Sequence, residues 1–214
     1  MTRMQIGSET RKNLKRNAAV RQEVRESILD AVDRLLERNG YKRMKIDDIA
    51  AEVGIGKGTV YLHFRSKEDV TLAHIDRIVQ RLLVRLNEIA DSNATPVSKL
   101  RSMLIARVMT RFDSVQHYPE SINDLLADLR SNLLGRREKH FDDEANVFAR
   151  VLKDGKQQNA LALKDPQATA HSFLLATNSL LPYSLSVQEL GNRKEMMDKI
   201  TRIADLLLEG VVRR

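Results

Sequence analysis

The stretch of sequence that decides the fold is residues 40–70, which read GYKRMKIDDIAAEVGIGKGTVYLHFRSKEDV. Its first half places apolar residues at helical spacing: Ile46, Ile49, Ala50 and Val53. Gly54 interrupts this pattern, and a second short helix is predicted from about Lys57 to Phe64. Two short helices joined by a tight turn that contains glycine form a helix-turn-helix unit. The stretch therefore predicts such a unit over about residues 46–65.

The second short helix is predicted to have one buried face and one outward face. Val60 and Phe64 are the expected buried positions, because they lie one turn apart. The outward positions are then Lys57, Thr59, Tyr61 and His63. Tyr41 is expected in the core, since it follows a helix-ending glycine and precedes the next apolar period.

A longer amphipathic helix precedes the unit. Its apolar residues follow helical spacing: Val20, Val24, Ile28, Val32, Leu35 and Leu36. Asn39-Gly40 is expected to end it, because glycine accepts the left-handed conformation of a helix C-terminus. The segment before Val20 has no apolar rhythm, and five basic residues lie in or just after its second half: Arg11, Lys12, Lys15, Arg16 and Arg21. This segment is either a loose arm or, in its latter part, an extension of the first helix.

Further helices are predicted after the unit. Ser66 and Asp69 open a fourth helix over about residues 67–90, whose wide apolar stripe predicts that much of it is buried. The later starts lie at Thr95-Pro96, near Pro119, before Phe141, at Asp165-Pro166 and near Asn192. The helix that contains Phe141 is expected to end near Asp154-Gly155, and Pro182 is expected to kink or end the helix before it. The pattern is typical of an all-α protein with about nine helices.

Charge is concentrated at the N-terminal end. Residues 1–67 hold 15 Lys and Arg against 9 Asp and Glu, whereas residues 68–214 hold 21 against 20. Nearly all of the formal net charge of +7 therefore lies in the first third, which favours contact with a polyanion. With no cysteine in the chain, disulfides and thiolate metal sites are excluded. A polar, basic start and the lack of a long apolar run predict a cytoplasmic protein.

Enzyme classes find little support in the sequence. Gly54 to Thr59 resembles a phosphate loop only superficially, because a Walker loop needs G-x-x-x-x-G-K-[ST] after a strand. His140 with Asp143 or Glu144 has helical ligand spacing, but no third ligand accompanies the pair. No G-x-S-x-G motif occurs. We predict no catalytic residue, no metal site and no cofactor.

Residues 40–70 resemble the DNA-binding domain of TetR-family transcriptional regulators. The residues that carry the resemblance are Gly40-Tyr41, Asp48-Ile49-Ala50, Gly54, Lys57-Gly58-Thr59, Tyr61, His63-Phe64 and Ser66-Lys67-Glu68. The match covers about residues 23–83. Two positions depart from the family: Met44-Lys45 stands where Thr or Ser is frequent, and Gly56 replaces a usual Ser.

The resemblance implies three segments: a basic N-terminal arm (1–22), a helix-turn-helix domain (23–83) and a helical regulatory and dimerisation domain (84–214). It implies a repressor that a small-molecule effector releases from a palindromic DNA operator. It also implies a homodimer formed by the last two helices, about residues 166–182 and 192–212. The alternative is a DNA-binding accessory protein that responds to no ligand.

The helix-turn-helix geometry predicts which residues contact DNA. The second helix enters the major groove, where residues near its N-terminus reach base edges. The predicted contacts are Lys45, Lys57, Gly58, Thr59, Tyr61, His63 and Lys67. Lys57 is expected to reach guanine or a phosphate, and Gly58 to allow close approach of the backbone. His63 is equally consistent with a packing histidine at the helix end.

An effector pocket is implied by the resemblance among helices four to eight. Polar residues inside the apolar helices are the candidates to line it: Arg107, Arg111, His117, Asn123, His171 and Asn178. Each of them is also consistent with a core or surface residue. The sequence identifies neither the effector nor the operator.

Overall fold

The computed structural model describes residues 3–116, 119–182 and 187–212, with side chains for 15–116, 124–125, 127–182 and 189–212. The helices in these residues are α1 (Arg3–Arg43), α2 (Ile46–Val53), α3 (Lys57–His63), α4 (Lys67–Asp91), α5 (Pro96–Val115), α6 (Pro119–Gln157), α7 (Pro166–Thr177), α8 (Val187–Leu190) and α9 (Arg193–Glu209). The same residues contain no β-strand, and one isolated bridge pairs Leu161 with Val212. The prediction of an all-α fold is confirmed.

The chain divides into two compact units, Met1–His74 and Ile75–Arg214. The division falls inside α4, as does the predicted domain boundary after residue 83. Among the described helices, none combines the length and the apolar character that crossing a membrane requires.

The first unit is built around the part of the predicted α1 stripe that starts at Ile28, whereas Val20, predicted in the same stripe, is 51% exposed and Val24 is half-buried. Its fully buried side chains include Ile28, Leu29, Val32, Leu35, Leu36, Tyr41, Ile49, Val60 and Val70. Helical geometry in α1 is interrupted at Gly40, whose φ of 73° favours glycine as expected, although its ψ of 163° is extended and differs from the left-handed helical conformation that was predicted. The backbone helix begins at Arg3, so the basic segment before Val20 continues α1 rather than forming a loose arm.

The second unit begins most of its helices with the capping residues that the sequence indicates. The Thr95 side chain accepts a hydrogen bond from the Ser98 amide, and Asp165 accepts from the amides of Gln167 and Ala168. Asn192 caps α9 in the same way. These bonds satisfy amides that have no partner inside the helix. The helix starts are therefore fixed by local chemistry.

One helix of the second unit was predicted wrongly. The sequence suggested two helices between Pro119 and Gly155, whereas α6 is continuous from Pro119 to Gln157. The polar stretch around Gly135 does not break it, because a glycine in an exposed helix costs only about 1 kcal/mol. The predicted 166–182 helix is shorter, since α7 ends at Thr177 and a 3₁₀ turn follows over Asn178–Leu180.

A buried ionic cluster joins three helices of the second unit. The Arg107 guanidinium (α5) donates to a Glu144 carboxylate oxygen (α6) at 2.7 Å, to Thr177 Oγ1 (α7) at 2.7 Å and to Asn178 Oδ1 at 2.8 Å. Arg111 donates to the other Glu144 oxygen. Arg107 and Glu144 are each 1% exposed. We call Arg107, Arg111 and Glu144, with Thr177 and Asn178, the buried ionic cluster.

Glu144→Gln keeps the shape of the side chain and removes the charge that balances two arginines. Removal of one partner of a buried ion pair leaves an uncompensated charge, and we expect a loss of about 3–5 kcal/mol in the free energy of unfolding. Chemical denaturation measures it. The control is Glu88→Gln, whose ion pair with Arg85 is exposed and therefore worth little. Equal stability of the two variants would contradict the structural role given to the cluster.

Candidate DNA-binding site

The turn between α2 and α3 is set by Gly54. Its φ of 75° and ψ of 32° are left-handed, and its amide donates to the Ala51 carbonyl oxygen at 3.2 Å. The Ile55 amide donates to the Ala50 carbonyl oxygen at 3.0 Å. A side chain at Gly54 would be strained by this conformation. Only three residues separate the two helices, which is the tight turn that the sequence predicted.

Ion pairs hold α2 against α1. The Glu52 carboxylate accepts from Arg34 at 2.9 Å and from Arg38 at 2.6 Å, and these hydrogen bonds lower the pKa of Glu52. At the other end of α2, the Asp48 carboxylate accepts from the Lys45 amide at 2.9 Å. Asp48 thus makes the bond to the N-cap amide that belongs to a capping box, while Lys45 cannot make the reciprocal bond of a Ser or Thr hydroxyl.

α3 buries one side and exposes the other, as predicted. Val60 is fully buried and Phe64 is 2% exposed. Lys57 and Gly58 are exposed, Tyr61 is 49% exposed, and Thr59 and His63 are half-buried. The most exposed large side chain is Leu62, at 72%, which the sequence analysis did not single out. The sequence signal for this exposure was its position two residues after the buried Val60, which places it on the opposite side of the helix.

Lys57 lies in an ion pair that the sequence analysis missed. Its Nζ is 2.9 Å from both carboxylate oxygens of Asp47, and this hydrogen bond raises the pKa of Lys57. Asp47 is in the first turn of α2, ten residues earlier. Both side chains are largely exposed, so the pair contributes little to stability. It does hold the ammonium group at the N-terminal end of α3.

Gly58 has no packing role in this chain. A Cβ atom at this position would meet no atom within 4 Å beyond the adjacent backbone. Because the fold itself has room for a side chain, the glycine leaves an open surface on the outward face of α3. A flat surface of this kind allows another molecule to approach the backbone closely.

Two arginines of α1 reach the C-terminal end of α3. Arg21 Nη2 donates to the Leu62 carbonyl oxygen at 3.4 Å, and the Arg25 guanidinium lies 5.0 Å from the centre of the Phe64 ring. Burial lowers the pKa of His63, and Arg21 and Arg25 lower it further. His63 is therefore neutral near pH 7, able to donate a hydrogen bond but not to attract phosphate by charge.

The remaining predicted contacts, Lys45 and Lys67, differ in their surroundings. The Lys45 side chain is exposed. The Lys67 ammonium donates to the Tyr41 carbonyl oxygen at 3.2 Å and lies 4.3 Å from the centre of the Tyr41 ring. Tyr41 itself is 1% exposed, so its prediction as a core residue is confirmed. Lys67 thus stabilises the start of α4 in this state.

The four predicted pocket residues whose side chains the structure describes have different surroundings. Arg107, Arg111 and Asn178 belong to the buried ionic cluster, so their polar atoms bond to the protein itself. His171 lies on the surface of α7, where its Nδ1 is 2.9 Å from the Gln167 carbonyl oxygen. His117 and the Asn123 side chain lie outside the described residues.

A surface groove of about 560 Å³ lies instead between α4 and α6. Its lining combines apolar and polar side chains: Gln80, Leu83, Val84, Asn87, Glu88, Asp91, Asp143 and Val147. Val84 is 59% exposed. The sequence signal for this groove was the wide apolar stripe of α4. The stripe contains more apolar residues than packing against the core on one side of the helix would require.

The side chains of His140 and Glu144, whose spacing resembles that of metal ligands, have other partners. His140 Nε2 is 3.3 Å from Asp76, and Glu144 belongs to the buried ionic cluster. In the part of the chain that the structure describes, no group of three His, Cys, Asp or Glu residues is placed to hold a metal ion.

Comparisons with known proteins agree with this geometry. Residues 28–73 match the family model described as bacterial regulatory proteins, tetR family. The fatty acid metabolism regulator protein of Bacillus subtilis is 32% identical over 73 residues, 34% of this chain and 38% of that protein. The nucleoid occlusion factor SlmA of Shewanella baltica is 30% identical over 133 residues, 62% of this chain and 64% of that protein.

A solved structure extends the likeness to the whole fold. The transcriptional regulator FadR from Bacillus subtilis, in complex with stearoyl-CoA, has a TM-score of 0.67 and 18% identity. The comparison covers 86% of this chain and 98% of that one. In contrast, this chain spans less than two thirds of the length of the two curated relatives named above.

The family match and the helix-turn-helix geometry cover the same residues. The regulators of this family are not enzymes, in agreement with the expectation from the sequence. The helix-turn-helix domain of this chain is therefore similar to that of the tetR family of bacterial regulatory proteins, whose family model matches residues 28–73.

Proposed function

We propose that the chain is a transcriptional regulator that binds a palindromic DNA operator as a homodimer, with α3 in the major groove. The observation that carries the proposal is the outward face of α3. It is open at Gly58, it presents Lys57 and Tyr61, and it lies in the part of the chain that holds most of the net positive charge. Such a face suits the major groove, where side chains near a helix N-terminus reach bases.

Each side chain then has a distinct role. Lys57 reaches guanine acceptors or a phosphate, and Thr59 bonds a phosphate or contacts a thymine methyl group. Tyr61, His63 and Lys45 bind phosphates and fix the register. Lys67 adds a phosphate contact after leaving Tyr41. Asp47 orients Lys57 before DNA binds, and the pair opens on contact with the operator.

Two exposed leucines support dimerisation through α7 and α9. Leu175 on α7 is 62% exposed and Leu206 on α9 is 69% exposed. Leu175 shares its face of α7 with exposed small, uncharged residues: Ala168, Ser172 and Ala176. A charge-free helix face suits packing against a second copy in a four-helix bundle. A dimer also gains specificity, because two α3 helices read two half-sites.

Release by an effector is the proposed regulatory step, which makes the chain a repressor. The groove between α4 and α6 has apolar side chains from Leu83, Val84 and Val147. The FadR neighbour was solved with stearoyl-CoA, so this fold accommodates a ligand with a long apolar chain. A ligand in the groove touches α4, which runs without a break from Lys67 to Asp91. A tilt of α4 would change the spacing of the two α3 helices.

A second candidate is an accessory DNA-binding protein that responds to no small molecule. The similarity to nucleoid occlusion factor SlmA over 133 residues favours it, because that relative is named for a role other than gene regulation. The two candidates share the DNA-binding site. They differ in whether any ligand changes operator affinity.

Substitutions on α3 test the proposed interface. Gly58→Val leaves the fold intact, because the position is open, but holds the helix off the DNA; we expect the largest loss of affinity. Tyr61→Ala should weaken binding by about 1–2 kcal/mol through a lost phosphate hydrogen bond. Lys57→Ala should mainly change sequence preference. Affinity is measured on a duplex selected from random DNA.

Gly135→Val is the matched control, since Gly135 is also helical and equally open. It carries the same helix-propensity cost far from the proposed interface in sequence. Wild-type affinity and the same selected sequence for all three α3 variants would contradict the placement of α3.

If an effector controls DNA binding, it should change the distance between the two copies of α3 in the dimer. The chain has no cysteine, so Ala51→Cys on the exposed side of α2 accepts a single spin label. A metabolite panel that includes stearoyl-CoA is screened for a compound that lowers operator affinity. We expect that compound to shift the label-to-label distance, with a 5–150-fold loss of affinity for about 1–3 kcal/mol of differential binding.

Two other outcomes would count against release through α4. An effector that lowers affinity without moving the distance distribution would refute this mechanism. A panel without any active compound would favour the accessory protein.

A further inference from the structure

Residues 15–23 of α1 form helical turns that are exposed on every side. They make more than two full turns, and from Lys15 onward the first fully buried residue of α1 is Ile28. An amphipathic helix normally hides one face. These turns bury no face, so packing within the chain does not explain why they are helical.

Electrostatics within the chain do not account for them either. Residues 11–25 hold six Lys and Arg against a single Glu. Arg21 and Arg25 are four residues apart, and like charges at this spacing destabilise a helix. Terminal turns of a helix that gain nothing from packing are only marginally stable in water. A helical segment with this excess of positive charge is therefore suited to a partner that supplies negative charge.

This segment begins at the DNA-binding site. Arg21 donates to the Leu62 carbonyl oxygen, and Arg25 lies over the Phe64 ring, so both anchor α1 to the C-terminal end of α3. Lys15 and Arg16 lie one to two turns further out, roughly 8–9 Å along the axis from Arg21 at 1.5 Å per residue. Basic side chains thus follow one another along α1, outward from the end of α3, on more than one side of the helix.

We propose that residues 15–25, the basic extension, bind the phosphates of double-stranded DNA beyond the base pairs that α3 contacts. The inference rests on the proposed function and adds a second contact to it. DNA carries one charge per about 1.7 Å of axis, so the length of the extension matches several phosphates. Because the extension starts beside the end of α3, the DNA that flanks the base pairs bound by α3 is favoured as its partner over an acidic protein.

The experiment compares two duplexes that contain the same selected operator. One ends at the base pairs that determine selection, and the other has about ten more base pairs of arbitrary sequence at each end. We expect wild type to bind the long duplex more tightly and with a steeper dependence on salt. The slope of log K against log salt concentration should differ by about 0.9 for each added phosphate contact.

Lys15→Gln with Arg16→Gln should remove this advantage and leave affinity for the short duplex unchanged. The control is Lys153→Gln with Lys164→Gln, which removes the same charge from exposed positions of the second unit. The control should retain the long-duplex advantage. Both substituted positions of α1 are exposed, so folding is not at risk.

The outcomes separate the inference from the proposed function. Equal wild-type affinity and equal salt slopes for the two duplexes would overturn the basic extension, and this comparison needs no variant. A loss of the same size in the control variant would also overturn it, because only net charge would matter. If the wild-type protein selects no sequence from random DNA, that result refutes the proposed function itself, on which the inference rests.

Discussion

The left-handed turn at Gly54 is the constraint on which the DNA-binding unit depends. It fixes the direction in which α3 leaves α2, and so decides that Val60 and Phe64 enter the core. Every outward side chain of α3 follows from that choice, since the helix is only seven residues long. The ion pairs of Glu52 and the arginines of α1 then hold both helices in place. The side chains of α3 that this packing leaves exposed are the proposed DNA contacts.

The second unit depends on a different kind of constraint. Glu144 accepts from two arginines inside an apolar core, and the Arg107 guanidinium connects α5, α6 and α7. A carboxylate and guanidinium pair in this setting has strict geometry, because displacement of either partner leaves a buried charge. The helices that carry the cluster are therefore expected to move together. The α4 face of the groove lies outside this cluster, so α4 is the element that a ligand could displace.

Sequence patterns predicted the first unit well because its signals are local. These signals are Gly40, Gly54 and the apolar residues one turn apart, and each involves only a few neighbouring residues. Patterns in the sequence did not reveal features that extend over many residues. The separate helix expected before Phe141 is absent, because α6 runs from Pro119 to Gln157. The partners of Arg107 and Asn178 in the buried ionic cluster lie 37 to 71 residues away, which no local pattern reveals. The pair of Lys57 and Asp47 was missed because it joins two helices across the turn.

The central claim is that two copies of α3 read two half-sites on one face of the DNA. Hydroxyl-radical footprinting of a duplex selected from random DNA tests it most directly. The account predicts two protected segments related by a two-fold axis and separated by about one helical turn, roughly 34 Å or 10 base pairs. A single unpaired segment, or uniform protection without a repeat, would contradict it.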